Sequence, residues 1–144
     1  MNCGRFIAAA LGGSVVMWLL GGLWHMYLMS GFYGEHSVST PLPEPKMLFI
    51  ILGYLILGVL MSYVYPKGYK GGGAIAEGLR FGAVIGLLWV LPHAVILHGV
   101  YFGAMGTLIL VDAAWHMVEQ GLGGIAIALI YCRKADEDAS AAAA

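Results

Sequence analysis

Apolar residues fill four long stretches of the chain, and polar residues punctuate them. The stretches cover about 6–28, 47–65, 74–100 and 105–131. Each can cross roughly 30 Å of hydrocarbon, which takes about 20 residues. A lone span in lipid has to satisfy its own backbone hydrogen bonds, so each stretch is predicted to be helical. Residues 31–46 hold Ser37, Ser39, Thr40, Pro41, Pro43 and Pro45 and cannot continue a helix. Pro66, Gly68 and Gly71-Gly72-Gly73 break the chain between the second and third stretches. The third connection, around Gly99–Gly106, is short and uncharged, which predicts a tight hairpin of the last two spans. The pattern therefore predicts an all-α, integral membrane four-helix bundle over residues 1–134. A disordered, low-complexity tail follows over residues 135–144.

Composition agrees with this pattern and narrows the function. Of the 144 residues, 60% are hydrophobic and 10% charged, with mean hydropathy +0.84. Ordinary domains carry about 25% charged residues. So little charge cannot cover a water-facing surface, and a formal net charge of −1 offers no field to a polyanion. Nucleic acid is therefore excluded as a partner, and the lipid bilayer is the expected one. Arg5 precedes an apolar run that lacks a small-x-small cleavage site behind it, so the run reads as an uncleaved first span. Cys3 and Cys132 fit no metal or redox spacing.

Basic residues set the orientation. Arg5 precedes span one, Lys67, Lys70 and Arg80 surround the second connection, and Arg133 and Lys134 follow span four. Four spans bring all of these to one side, with only Lys46 opposite. Both termini are expected in the cytoplasm of a bacterial inner membrane. Trp24, Tyr27, Phe32, Tyr33, Tyr63, Tyr65, Tyr69, Tyr101 and Tyr131 lie near span ends, where interfacial aromatic belts form.

Among the 22 glycines, Gly78, Gly82 and Gly86 recur at four-residue spacing, as in close helix–helix contacts in lipid. Ala8 with Gly12, and Gly124 with Ala128, repeat the spacing in spans one and four. Packing inside the bundle is preferred for span three. For spans one and four, docking of another membrane protein stays open. Pro92 frees the carbonyl of Leu88 and predicts a kink in span three.

Asp112, His116 and Glu119 fall within an arc of roughly 60° on one face of span four. An ionisable group near the bilayer centre costs about 2.5 to 3.5 kcal/mol, so these three must face the bundle, a partner or a hydrated cavity. Asp112 and His116 are placed to meet His93, and His25 lies within possible reach. His93, Asp112, His116 and Glu119 form a candidate set for a transition metal. His25, His93 and His116 are candidate haem-side ligands, with Gly21 and Gly22 leaving room for a macrocycle. A carboxylate–imidazole chain also suits proton relay. Against these stands the plain reading, which is preferred: hydrogen bonds that fix helix register with no cofactor bound. His98 reads as an interfacial edge residue, and the eight methionines as packing. Glu77 and Arg80 read as a helical ion pair. No nucleophile–base pair, P-loop or dinucleotide motif is present, so an enzyme is not expected.

The stretch 62–88, with Lys67-Gly68-Tyr69-Lys70, Gly71 to Gly73 and Glu77-Gly78-Leu79-Arg80-Phe81-Gly82, resembles a turn found in a family of small, uncharacterised four-span bacterial membrane proteins. Residues 115–131 resemble that family's last span. The resemblance implies the fold and no activity. The sequence favours a non-catalytic accessory subunit packed against a larger membrane complex, plausibly of electron transport or photosynthesis. The alternatives are a metal-, haem- or proton-handling protein built on the intramembrane cluster, and a small homo-oligomeric transporter.

Overall fold

The computed structural model describes the backbone of residues 3–36, 44–100 and 106–142, with side chains as far as Tyr131. The described residues form helices and no strands. Helix α1 is Cys3–Gly22, continued by a π-helical turn over Leu23–Leu28. It is followed by α2 (Ser30–His36), α3 (Met47–Gly68), α4 (Ala74–Val100) and α5 (Gly106–Ala142). Four helices are long and apolar enough to cross a membrane: Cys3–Leu28, Met47–Gly68, Ala74–Val100 and Gly106–Tyr131.

Two boundaries differ from the sequence expectation. Residues 30–36 are helical, although 31–46 was expected to hold no helix. Its breakers all lie beyond His36, so nothing prevents one more turn before them. The second stretch runs to Gly68 rather than to 65, with Pro66 inside the helix. Pro66 has no N–H for the carbonyl of Ser62, four residues back. The Tyr131 hydroxyl of α5 donates to that carbonyl instead, at 2.9 Å. The freed backbone group is satisfied from a neighbouring helix, and the helix continues. Pro92 likewise sits inside α4, which stays helical to Val100. The α4–α5 hairpin tip, with position 105, lies outside the described residues, as do residues 37–43. The last turns of α5 run through 135–142, the segment read from the sequence as a tail.

The α3–α4 turn is built by its sequence. Gly71 and Gly72 adopt φ of 87° and 123°, which side chains rarely allow. The Tyr69 hydroxyl donates to the Gly72 carbonyl. Glu77, in the first turn of α4, accepts the Lys70 backbone N–H and pairs with Arg80 at 2.7 Å. Arg80 also donates to the carbonyl of Gly68, capping the end of α3.

Helix α5 lies at the centre. It packs along α4 on one side and α1 on the other, and α3 packs on α1. The α4–α5 seam is backbone against backbone. A Cβ at Gly78 would stand 2.6 Å from the Gly124 carbonyl oxygen, and one at Gly82 or Gly86 would collide with the backbone of Gln120 or His116. The α1–α3 crossing works the same way: Gly58 meets the Ala10 carbonyl, and Ser14 donates to Ala10 and Tyr54 carbonyls at 2.7 and 3.0 Å. On the other side of α1, Gly12 and Gly13 lie under Ile130 and Ile127 of α5. The apolar core gathers near the α3–α4 turn, around Met17, Met61, Tyr65, Phe81 and Ile127. Tyr65 stacks on Tyr131 and meets Phe81 edge-on. By contrast, α3 and α4 barely touch each other, and a cleft opens between them away from the turn.

Candidate functional site

The half of the molecule away from the α3–α4 turn is polar inside. Glu119 and Gln120 sit near the middle of the Gly106–Tyr131 stretch, roughly 20 Å from its start. They are 0% and 1% exposed. The Glu119 carboxylate accepts the Trp115 indole N–H at 2.8 Å and the Gln120 amide at 3.4 Å. The Tyr54 hydroxyl of α3 also donates to it. Tyr54 reaches this point because Gly21 of α1 has no side chain; a Cβ there would collide with the Tyr54 hydroxyl.

Asp112 stands two turns closer to the start of α5. It accepts the Tyr33 hydroxyl, which in turn accepts the Trp24 indole N–H at 3.1 Å. Burial, and then the hydrogen bond to Asp112, hold the Tyr33 phenol above its ordinary range, so Tyr33 stays the donor. Trp24 and Trp115 stack with centroids 4.2 Å apart and planes within 4°. One continuous chain therefore runs Asp112–Tyr33–Trp24, across the stacked indoles, to Trp115–Glu119.

The histidines divide. His25 and His116 face each other with centroids 6.3 Å apart, and His25 also meets Tyr33. His116 Nδ1 lies 2.9 Å from the Asp112 backbone carbonyl. A carbonyl only accepts, so Nδ1 carries the proton and Nε2 is left as an acceptor in neutral imidazole. His93 is exposed and lines a cleft of about 530 Å³ with Asp112 and His116. His98 is exposed near the end of α4. Among the described residues no group of three or more His, Cys, Asp or Glu is placed to hold a metal ion. His93, Asp112, His116 and Glu119 are thus not drawn into one coordination sphere. A further cavity of about 540 Å³ lies between α1 and α3, beside His25 and Gly22. Gly21 also lines it, but the space above Gly21 belongs to Tyr54, which narrows the room that the two glycines were expected to leave.

Sequence reasoning assigned Trp24, Tyr33 and Tyr65 to an interfacial belt, whereas the structure turns them inward. Trp115 and Tyr54 were missed. Two signals point to this group. Trp115 and Glu119 are four apart on one helix face, so the indole N–H reaches the carboxylate. The triplet Trp-His-Met also occurs twice, at 24–26 and 115–117. Its tryptophans stack and its histidines face each other across the α1–α5 contact. No protein-family model matches the chain, and no curated protein or solved structure matches it. The site is read from its own geometry.

Proposed function

We propose that the chain is a multi-pass protein of a bacterial inner membrane, with both termini in the cytoplasm, that handles protons through Glu119, Asp112 and the facing pair His25 and His116. Insertion in a bilayer is supported by the surface. Leu48, Leu110 and Leu88 are 75, 70 and 67% exposed, and water does not tolerate such a surface over four helices. The orientation is supported by the basic residues that flank the spans, since the α3–α4 turn, with Lys70 in it and Lys67 and Arg80 beside it, shares its end with the start of α1.

The observation that carries the proton reading is the setting of Glu119. Its carboxylate is fully buried at mid-span, and its partners Trp115, Tyr54 and Gln120 are all neutral donors. A charge held there is expensive, and taking up a proton removes the cost. Asp112, a second carboxylate two turns away on α5, is tied to it through Tyr33 and the stacked Trp24 and Trp115; the indoles only donate their N–H, so the stack holds the two carboxylates in place and carries no proton itself. The accessory-subunit reading drew on small size, little mass outside the spans and small-residue faces, of which Ala8 stays exposed. Gly12, Gly78, Gly82, Gly86 and Gly124 are covered within the chain, so that support is weaker than the polar chain's.

Proteoliposomes carrying an imposed pH gradient test the proposal. The wild type is expected to collapse the gradient faster than protein-free vesicles, and Glu119→Gln to remove the difference. Equal rates for all three would overturn the proton reading. Orientation is tested by impermeant maleimide labelling of intact cells, using variants without the native cysteines. Glu35→Cys is expected to label and Lys70→Cys to stay protected.

A further inference from the structure

The cleft between α3 and α4 has an unusual floor. A cavity of about 190 Å³ reaches down to His116, Glu119 and Gln120 of α5. The Gln120 side-chain oxygen is buried there and has no hydrogen-bond partner among the described residues. Its amide nitrogen is already committed to Glu119. His116 offers Nε2, because Nδ1 is held by the Asp112 carbonyl. Glu119 keeps spare acceptor capacity, since a carboxylate offers about four lone-pair sites and three donors, Trp115, Tyr54 and Gln120, reach it. With Glu119 ionised and His116 neutral, the floor presents three acceptors against a single spare donor, the second N–H of the Gln120 amide. An occupant has to donate hydrogen bonds.

The walls identify it further. Phe49, Tyr54 and Trp89 surround the acceptors, and no Lys or Arg lines the cavity. A buried carboxylate without a cation, set among aromatic faces, favours a positive charge with N–H donors. A second, wholly apolar pocket of about 200 Å³ adjoins this one through Leu57 and Trp89. Its other walls are aliphatic, from Leu60 to Leu88. The two together fall in the range of small-molecule sites, ~300–1,000 Å³. One end suits a charged head and the other a hydrocarbon body. Because α3 and α4 do not close over it, the cleft is open from the side.

We propose that this cleft binds a lipophilic ammonium ion, whose N–H groups donate to Glu119, Gln120 and His116 and whose apolar body lies between α3 and α4. The proposal rests on the membrane reading above and shares Glu119 with the proton reading. The experiment separates the two.

The whole chain in lipid nanodiscs is titrated with 3-phenylpropylammonium, followed by tryptophan fluorescence, with partition into empty nanodiscs subtracted. Two controls match its shape: 3-phenylpropanol, a neutral donor, and trimethyl(3-phenylpropyl)ammonium, a cation without N–H. Saturable binding of the ammonium is expected, about tenfold or more tighter than either control. Glu119→Gln and Gln120→Leu are each expected to weaken it about tenfold. Gly53→Leu guards against misfolding as the cause. Gly53 lines the cavity, and a Cβ there meets nothing within 4 Å, so a larger side chain starts in open space at the cleft, and unfolding in mixed micelles checks that the variant is folded. It is expected to abolish binding. Equal affinity for amine and alcohol, or an unchanged affinity in Glu119→Gln, overturns the proposal. If the vesicles show Glu119-dependent proton flux and the amine binds no better than the alcohol, the cleft proposal fails and the proton reading stands. If flux is absent and the amine binds with the expected pattern, the proton reading fails and the cleft stands.

Discussion

The two sides of α4 meet their neighbours in opposite ways. Toward α5 it presents Gly78, Gly82 and Gly86, and the backbones come into contact. Toward α3 it presents Ile85, Leu88 and Trp89, which stand at a cleft rather than a seam. Without a hydrophobic drive between helices in lipid, close approach depends on dispersion between complementary surfaces, and side-chain size decides it. One helix can thus be anchored along one edge and open along the other. The open edge coincides with the buried Glu119 and Gln120.

The largest expected effect comes from breaking the closed edge. In Gly82→Leu the new side chain meets the backbone of Gln120 and Gly121, which cannot move aside as a side chain can. The unfolding free energy in mixed micelles is expected to fall by about 3 kcal/mol. The same replacement across the cleft sharpens the contrast, because a Cβ at position 53 has nothing within 4 Å. A mid-helix glycine costs about 0.8–1.0 kcal/mol, so this variant is expected to unfold no more easily than the wild type and to gain up to that amount. Equal losses in the two variants would show that the cleft is closed.

Smaller changes remove single tyrosine hydroxyls, one in the closed half and one in the polar chain. Tyr131→Phe leaves the Ser62 carbonyl without its donor and is expected to cost about 1 kcal/mol by the same assay. Tyr33→Phe removes the donor to Asp112 at similar or lower cost. It also changes the alkaline limb of stability. The Tyr33 phenol is held above its ordinary value near 10, so its contribution is complete below that pH and is lost as pH rises through the higher folded value. The wild type is therefore expected to lose stability above about pH 10 more steeply than Tyr33→Phe.

The closed edge was far more legible in the sequence than the open one. Four-residue glycine spacing in a helix maps directly onto a face, and the four spans follow from hydropathy, though α3 runs past the expected end through Pro66. The polar face of Asp112, His116 and Glu119 was equally plain from helical periodicity. Its partners were not. Tyr33 and Trp24 sit on either side of a break in the helix, at Met29, and their convergence depends on the π-helical turn that precedes it. Tyr54 lies on a helix so uniformly apolar that no stripe marks its inner face. Nor could periodicity find the cleft, because it arises from the distance between two helices rather than from a pattern within either.

The hydroxyl that Tyr131 lends to Ser62 has a consequence for biogenesis. Ser62 is made 69 residues before the group that completes it. As α3 leaves the ribosome, its proline has already released a carbonyl that lipid cannot satisfy. Helix α4 is in the same position, since its glycine face has no counterpart until α5 exists. On the membrane reading proposed above, the early helices are inserted as an incomplete set, and the last one to emerge from the translocon closes them. A nascent chain halted before α5 should therefore be held by the insertion machinery or degraded, rather than waiting in the membrane as a stable three-helix intermediate.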